Sequence, residues 1–292
     1  MATTRLMTCL IGLIAATATL PELAMADSNG RGTLFRWGVD PTAEGGPDLS
    51  EPLVTDRPDF TEASVTVGRG VAQLEMGYTY TYDSNGGSST RTHSYPETLL
   101  RVGTLADWFE LRIDWNYAEE RVNDFGGDIN TDAGAEDLGI GCKLALTPQE
   151  CMFPETAVIL QMSVPSGSNE FTADEVLPGA AYLYGWDLNE CWSTAGSSSF
   201  NRQVDDETGD DYFEFAQSWT IGRSWTEELG SYAEWFGFVP SGADTNHTEH
   251  YFNGGFTYLI SDDIQWDVRG GLGLNGAADD YFVGTGLSIR FR

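Results

Sequence analysis

Basic residues are scarce in this chain of 292 residues. Aspartate and glutamate together number 45, whereas lysine and arginine number 15, so the formal net charge is −30. Lys143 is the only lysine. Nucleic-acid binding needs cations that displace the counterions of the phosphates, so this balance argues against nucleic acid, and we predict no nucleic-acid partner.

Long apolar runs are missing beyond the first 25 residues, which excludes a helical membrane protein. The first residues predict an export signal. Arg5 supplies the positive start, residues 6–20 form a short apolar stretch, and Ala24-Met25-Ala26 fits a cleavage site. We therefore expect residues 1–26 to be a signal peptide; an N-terminal membrane anchor is the alternative.

Motifs for catalysis and metal binding are also missing. The sequence contains no nucleophile elbow, Walker loop or dinucleotide fingerprint, and no C-x-x-C pair. Of the three histidines, His247 and His250 form an H-x-x-H pair without a complete ligand set, and His93 stands beside Ser94. We interpret all three as surface residues and predict no catalytic residue, metal or cofactor.

What the sequence does contain, from residue 71 onward, is a repeated period of two. In residues 109–117 the odd positions are large and apolar, and the even positions are Glu110, Arg112, Asp114 and Asn116. Successive side chains of a strand point to opposite faces, so each such strand has one apolar and one polar face. The pattern predicts an all-β protein.

Twelve segments show this alternation, some of them weakly, and in 229–239 both faces carry aromatic residues. They are 71–82, 94–104, 108–119, 135–146, 156–164, 178–187, 191–200, 211–223, 229–239, 248–260, 263–275 and 280–291. Long and short gaps alternate between them, as in an up-and-down outer-membrane barrel with short periplasmic turns and longer external loops. We therefore predict a single antiparallel transmembrane β-barrel over residues 71–292.

A secreted soluble β-sandwich that binds carbohydrate is the alternative fold, because sandwich strands alternate too. Strands of about 12 residues and aromatic residues near strand ends favour a barrel in the membrane. On that interpretation the polar faces line the lumen, which predicts these pore-lining residues: Glu75, Glu97, Arg101, Glu110, Arg112, Asp114, Asp137, Lys143, Glu234, Asp267, Arg269 and Arg290. They either form an ion-pair network that stiffens the barrel or line a path and set its selectivity.

Residues 27–70 are rich in glycine, proline and acids and predict an extended polar arm. The arm contains Asp56-Arg57-Pro58-Asp59, where proline forces the preceding residue to be extended and the aspartates can bond nearby amides. Two interpretations stay open for this motif: a turn that leads into the first strand, and a plug or partner contact.

Two further expectations concern cysteines and loops. Cys151 and Cys191 both fall near predicted periplasmic turns, and we predict a disulfide between them, whereas Cys142 should face lipid. Much of the excess acid falls in loops, as in residues 205–207 and 210–211. Such loops would attract cations to the outer mouth.

The arm and the strands resemble the phenol-degradation "MetA-pathway" family of outer-membrane, transporter-like barrels over about residues 53–291. The segments that carry the resemblance are 55–62, 73–80, 95–101, 109–112, 174–179, 232–236 and 278–284. The resemblance implies a barrel that passes small, aromatic or hydrophobic molecules. The end of the chain departs from the usual pattern. Such barrels commonly end on an aromatic residue used in assembly, but here Arg292 follows Phe291.

These observations together predict a channel or transporter for small solutes in the outer membrane of a Gram-negative cell. Its expected partners are the lipid bilayer, small-molecule solutes and the barrel-assembly machinery. A barrel-borne hydrolase is the alternative function.

Overall fold

The alternating segments form thirteen antiparallel strands in the computed structural model, which describes residues 32–38, 45–205 and 208–292. The strands are β1 (Ala72–Asn85), β2 (Ser88–Gly103), β3 (Phe109–Asp124), β4 (Ile129–Ala135), β5 (Leu138–Thr147), β6 (Glu155–Val164), β7 (Leu177–Asn189), β8 (Trp192–Val204), β9 (Asp211–Ser224), β10 (Leu229–Ser241), β11 (Glu249–Ser261), β12 (Ile264–Gly273) and β13 (Tyr281–Phe291). The predicted signal peptide, residues 1–26, lies outside the described residues.

Pairing between sequence neighbours continues around the sheet until β1 pairs with β13, which closes the barrel. The wall of the barrel has twelve strand positions, as predicted. The first half of β3 pairs with β5 and its second half pairs with β4. The strands β4 and β5 therefore share one strand position in the wall. In the described part of the chain, no helix is long and apolar enough to cross a bilayer.

Two regions that were predicted as loops form strands in the structure. Residues 120–134 were expected as a loop, but Ile129–Ala135 forms β4 against the end of β3. Residues 83–93 were also expected as a loop, but β1 and β2 continue to a tight turn at Gly86 and Gly87, which have φ values of 59° and 106°. Both hairpins are polar, so they keep the ladder hydrogen bonds without the apolar face that the prediction relied on.

The side-chain orientation is the predicted one. On β3, Leu111 and Trp115 are 44% and 39% exposed on the outer surface, whereas Glu110 and Arg112 are 0% and 5% exposed inside the barrel. The ionised face is enclosed and the apolar face looks outward, which is the arrangement of a barrel in lipid. The soluble sandwich, which would enclose the apolar face instead, is therefore excluded.

The predicted disulfide is absent, because Cys151 and Cys191 are free thiols. Cys151 lies in the turn between β5 and β6, and Cys191 lies in the turn between β7 and β8. Strands are spaced about 4.8 Å apart, so the centres of these turns are about 10 Å apart. A disulfide needs Cα atoms within about 7 Å.

Candidate functional site: a chain segment inside the lumen

The arm passes beneath the rim of short turns before it enters the barrel. The Leu53 amide donates to the Asp262 carbonyl at 2.7 Å, and the Arg290 side chain donates to the Glu51 carbonyl at 2.9 Å. Residues 54–67, which we call the lumenal segment, then turn up into the barrel and return to the rim at Gly68. Their partners lie on strands all around the wall, so the segment fills the lower lumen.

Asp56 is the most highly bonded side chain of the lumenal segment. Lys143 Nζ lies 2.8 Å from both of its oxygens, Arg101 Nε lies 3.4 Å from one, and Arg112 also bonds it. Burial raises the pKa of this carboxyl, but the three cations outweigh burial and hold the pKa well below its usual range. Asp56 therefore stays ionised.

Carboxylates of the wall neutralise the same cations. Arg101 bonds Glu110 at 2.8 Å and Glu75 at 3.1 Å. Glu75 also accepts the backbone amides of Asp56 and Arg57, each at 3.1 Å. The wall and the segment therefore form one buried network, in which each charge has a partner.

Arg57 occupies a slot at the seam where the barrel closes. Its guanidinium lies 2.8 Å from Glu97 and 3.4 Å from Asp267. Gly77 on β1 and Gly286 on β13 are directly paired across the seam, and a Cβ at either would come within 2.3 Å of the Arg57 side chain. The slot exists only because both positions are glycine.

The opposite side of the lumenal segment is held by backbone bonds and ring stacking. Glu234 on β10 accepts the amides of Phe60 and Thr61 at 2.8 and 2.7 Å. The Phe60 ring stacks on Phe236 with centroids 4.8 Å apart, and Phe236 stacks on Tyr251 at 4.9 Å. These are offset-stacking distances for aromatic pairs.

Asp59 lies half-buried beside Glu234. Burial and repulsion from Glu234 both raise the pKa of the Asp59 carboxyl well above its ordinary value. Glu234 already accepts three amide groups, those of Phe60, Thr61 and Asn253. The pKa of Asp59 is therefore raised further than that of Glu234, whose charge these bonds stabilise.

Two cavities adjoin the lumenal segment. A polar cavity of about 500 Å³ includes Glu62, Glu97, Arg112, Asp114, Asn116 and Asp137 in its lining. An aromatic cavity of about 260 Å³ includes Phe60, Phe236, Phe238, Tyr251, Arg269 and Phe282.

Most of the predicted pore-lining side chains come together in this network, but three do not. Asp114 is exposed and lines the polar cavity. Asp137 lies in the break between β4 and β5, where it accepts the amides of Ser166, Gly167 and Ala173. The net effect is a lowered pKa for Asp137, because these hydrogen bonds to the carboxylate outweigh the opposing effect of burial. Arg290 bonds Asp263 at 2.7 Å at the lower rim.

Sequence reasoning missed the aromatic cavity. The signal was the segment 229–239, whose two faces both carry rings. In the structure Trp235 points outward, whereas Phe236 and Phe238 point inward against Phe60. The inward rings have a partner because the arm brings Phe60 to them.

The described histidines lie away from the lumenal network. His93 bonds the Tyr78 hydroxyl at 2.8 Å and packs near Tyr80, His250 stacks on Trp235, and His247 is exposed. Within the described ranges, no group of three His, Cys, Asp or Glu side chains could hold a metal ion.

Solved structures with this architecture include bacterial outer-membrane proteins. An outer membrane channel from Pseudomonas putida F1 is 13% identical, with a TM-score of 0.59, and the match covers 80% of this chain and 99% of that one. The β domain of the Bordetella autotransporter BrkA is 11% identical, with a TM-score of 0.50, over 77% of this chain and 99% of that one. At these identities the similarity shows the fold.

No curated protein matches the chain. A family model does match it, over residues 55–291, and is described as "Putative MetA-pathway of phenol degradation". The match begins at Thr55, so it includes most of the lumenal segment as well as the barrel wall. The chain belongs to this family.

Proposed function

We propose that the protein is an outer-membrane channel for small solutes, including aromatic or hydrophobic compounds, and that the lumenal segment is its plug. The observation that carries the proposal is a closed barrel with an apolar exterior whose lumen holds a charged network and two cavities. The Pseudomonas putida relative of the same fold is itself an outer membrane channel.

The aromatic cavity supports the wider solute class. Binding sites for small organic molecules are concave and lined mainly by apolar and aromatic side chains, with few polar groups. Half of the lining of the cavity beside Phe60 is aromatic and the other half is polar or charged, and the name of the family refers to phenol. Aromatic solutes would contact Phe236 and Phe282 there.

The plug interpretation follows from where the lumenal segment is held. Its ionic and hydrogen bonds reach β1, β2, β3 and β5 on one side and β10 on the other. A solute that crosses the lower lumen must therefore displace these residues. The pore-lining role predicted for the network residues would apply to the displaced state.

A channel needs no catalytic step. The alternative, a hydrolase, needs a base next to a nucleophile. His250 stacks on Trp235, and His93 bonds the Tyr78 hydroxyl and packs near Tyr80 on the wall, away from the lumenal network. We also propose that the barrel-assembly machinery inserts the chain through its last strand, which ends at Phe291.

Planar-bilayer conductance tests the proposal. The Asp56→Ala variant removes the residue that bonds three wall cations, so we expect more frequent and larger openings than in the wild-type protein. Glu51→Ala is the matched control, because it removes a carboxylate from the arm below the lumen. Heat-modifiable migration in detergent verifies that each variant is a folded barrel. Silent bilayers with both wild-type and Asp56→Ala protein would contradict the proposal.

A further inference from the structure

The aromatic cavity carries a charge pattern that the channel proposal does not explain. Its upper wall includes Asp279, from the loop between β12 and β13. The Asp279 amide donates to the Tyr251 hydroxyl at 3.2 Å, which places this aspartate against the aromatic cluster. Among the described residues, the Asp279 carboxylate forms no ion pair.

Four other carboxylates lie near enough to Asp279 to repel its charge. They are Asp83 on β1, Glu120 on β3, Glu249 on β11 and Asp280 in the same loop. Partial burial and these like charges raise the pKa of Asp279 to about 6. A cation placed beside Asp279 would relieve this repulsion.

The only basic residue lining this cavity among the described residues, Arg269, is already engaged. It donates to Thr79 Oγ1 at 2.7 Å and to the Pro58 carbonyl at 3.1 Å, and it lies 3.5 Å from Glu97. Its guanidinium also lies 5.8 Å from the Phe282 ring centroid. One cation of the protein, Arg269, therefore already lies against a ring of the cavity, Phe282, whereas the Asp279 carboxylate has no cation beside it among the described residues.

We infer that the aromatic cavity binds an organic cation, such as an aryl-substituted ammonium ion. The apolar body packs against Phe236, Phe238 and Phe282, and the ammonium group lies beside Asp279 and the Tyr251 ring. Rings and a carboxylate are the groups that recognise quaternary ammonium ions. This inference rests on the proposed function, because it names a solute class for a cavity on the proposed path.

Equilibrium binding tests the inference without requiring conductance. Purified full-length protein in a non-ionic detergent is titrated calorimetrically with benzyltrimethylammonium, benzyl alcohol and benzoate, which share a ring and differ in charge. We expect the cation to bind tightest and benzoate weakest. Benzyl alcohol or benzoate binding as tightly as the cation would overturn the inference.

Variants locate the site. Asp279→Asn should weaken binding of the cation about tenfold, a change typical of one desolvated cation contact. Asp280→Asn is the matched control, since its carboxylate is next in sequence but exposed and outside the cavity lining. Equal losses in the two variants would indicate diffuse attraction by acidic loops and would overturn the assigned site.

Acidity gives a third measurement. Binding of the cation to wild-type protein should weaken as the pH falls through about 6, because Asp279 becomes neutral. Asp279→Asn should lose that dependence. Cation binding by a protein that never conducts would support this site and contradict the channel proposal. Conductance by a protein that binds the cation no tighter than benzyl alcohol or benzoate would support the channel and contradict this site.

Discussion

The two sides of the lumen hold the same chain segment by different means. On the wall formed by β1, β2, β3 and β5, buried cations and carboxylates bond Asp56 and Arg57. On the wall formed by β10 and β11, Glu234 accepts backbone amides and the rings of Phe236 and Tyr251 stack behind Phe60. We call these the charged wall and the aromatic wall.

The difference between the two walls shows where the lumenal segment is held most strongly and where it can move. Removing one partner from a buried ion pair leaves an uncompensated charge, which costs about 3–5 kcal/mol. Losing a stacked ring costs the burial of that ring and about 0.5–1.5 kcal/mol for the pairing. The charged wall therefore fixes the register of the segment, and the aromatic wall leaves a cavity.

Asp56→Ala should give the largest effect. It leaves Lys143, Arg101 and Arg112 with fewer anions, so the free energy of unfolding should fall by about 3–5 kcal/mol. Denaturant unfolding in detergent, followed by tryptophan fluorescence, measures the change. Glu51→Ala should change it by less than about 0.5 kcal/mol. Equal stabilities for the two variants would mean that the charged wall does not anchor the segment.

Gly77→Ala should give the next effect. The new methyl group would overlap the Arg57 guanidinium, and overpacking of this kind costs about 1–3 kcal/mol. Limited proteolysis within residues 54–67 should become faster as Arg57 leaves its slot. Gly270→Ala is the control, since a Cβ there meets its nearest atom at an ordinary 3.7 Å. Unchanged proteolysis in Gly77→Ala would contradict the slot.

Phe60→Ala should have a smaller effect, because it removes ring stacking but keeps the ion pairs. We expect the free energy of unfolding to fall by about 2 kcal/mol, because this half-buried ring loses part of its burial as well as its pairing, with faster proteolysis of the lumenal segment and an enlarged aromatic cavity. Phe35→Ala provides the comparison, since Phe35 lies in the arm and is 61% exposed. A loss for Phe60→Ala as large as that for Asp56→Ala would erase the distinction between the two walls.

The smallest effect is expected at the lower rim, where Asp263 bonds Arg290 at 2.7 Å and Arg292 at 2.9 Å. These bonds lower the pKa of Asp263. A lowered folded-state pKa gives stability that is present above the ordinary aspartate value and is lost as pH falls through the folded value. Unfolding between about pH 5 and pH 3 should therefore show less acid destabilisation in Asp263→Asn than in the wild-type protein. Identical curves would show that the two ion pairs of Asp263 contribute nothing to stability.

Alternation in the sequence was enough to predict the wall. It placed Glu110, Arg112 and Lys143 on the inner face, because a period of two assigns each residue to a face without knowledge of its partners. The contact of Asp56 with Lys143 could not be predicted in this way. It joins residues 87 positions apart, one of them in a segment with no period.

The polar hairpins and the aromatic cavity were missed for a related reason. Residues of β4 carry no apolar face, so no pattern marked them as a strand. Rings on both faces of residues 229–239 left the orientation of Trp235 and Phe236 open in the sequence, and only the position of Phe60 shows which ring points inward. Both cases depend on contacts between segments rather than on local order.

The glycine pair that receives Arg57 has a consequence for biogenesis. One of its members belongs to the first strand of the cylinder and the other to the last. The receptacle is thus complete only once the final hairpin has docked and the circle has shut. The lumenal segment is consequently among the last parts of the chain to settle, so its protection from protease reports that maturation has finished.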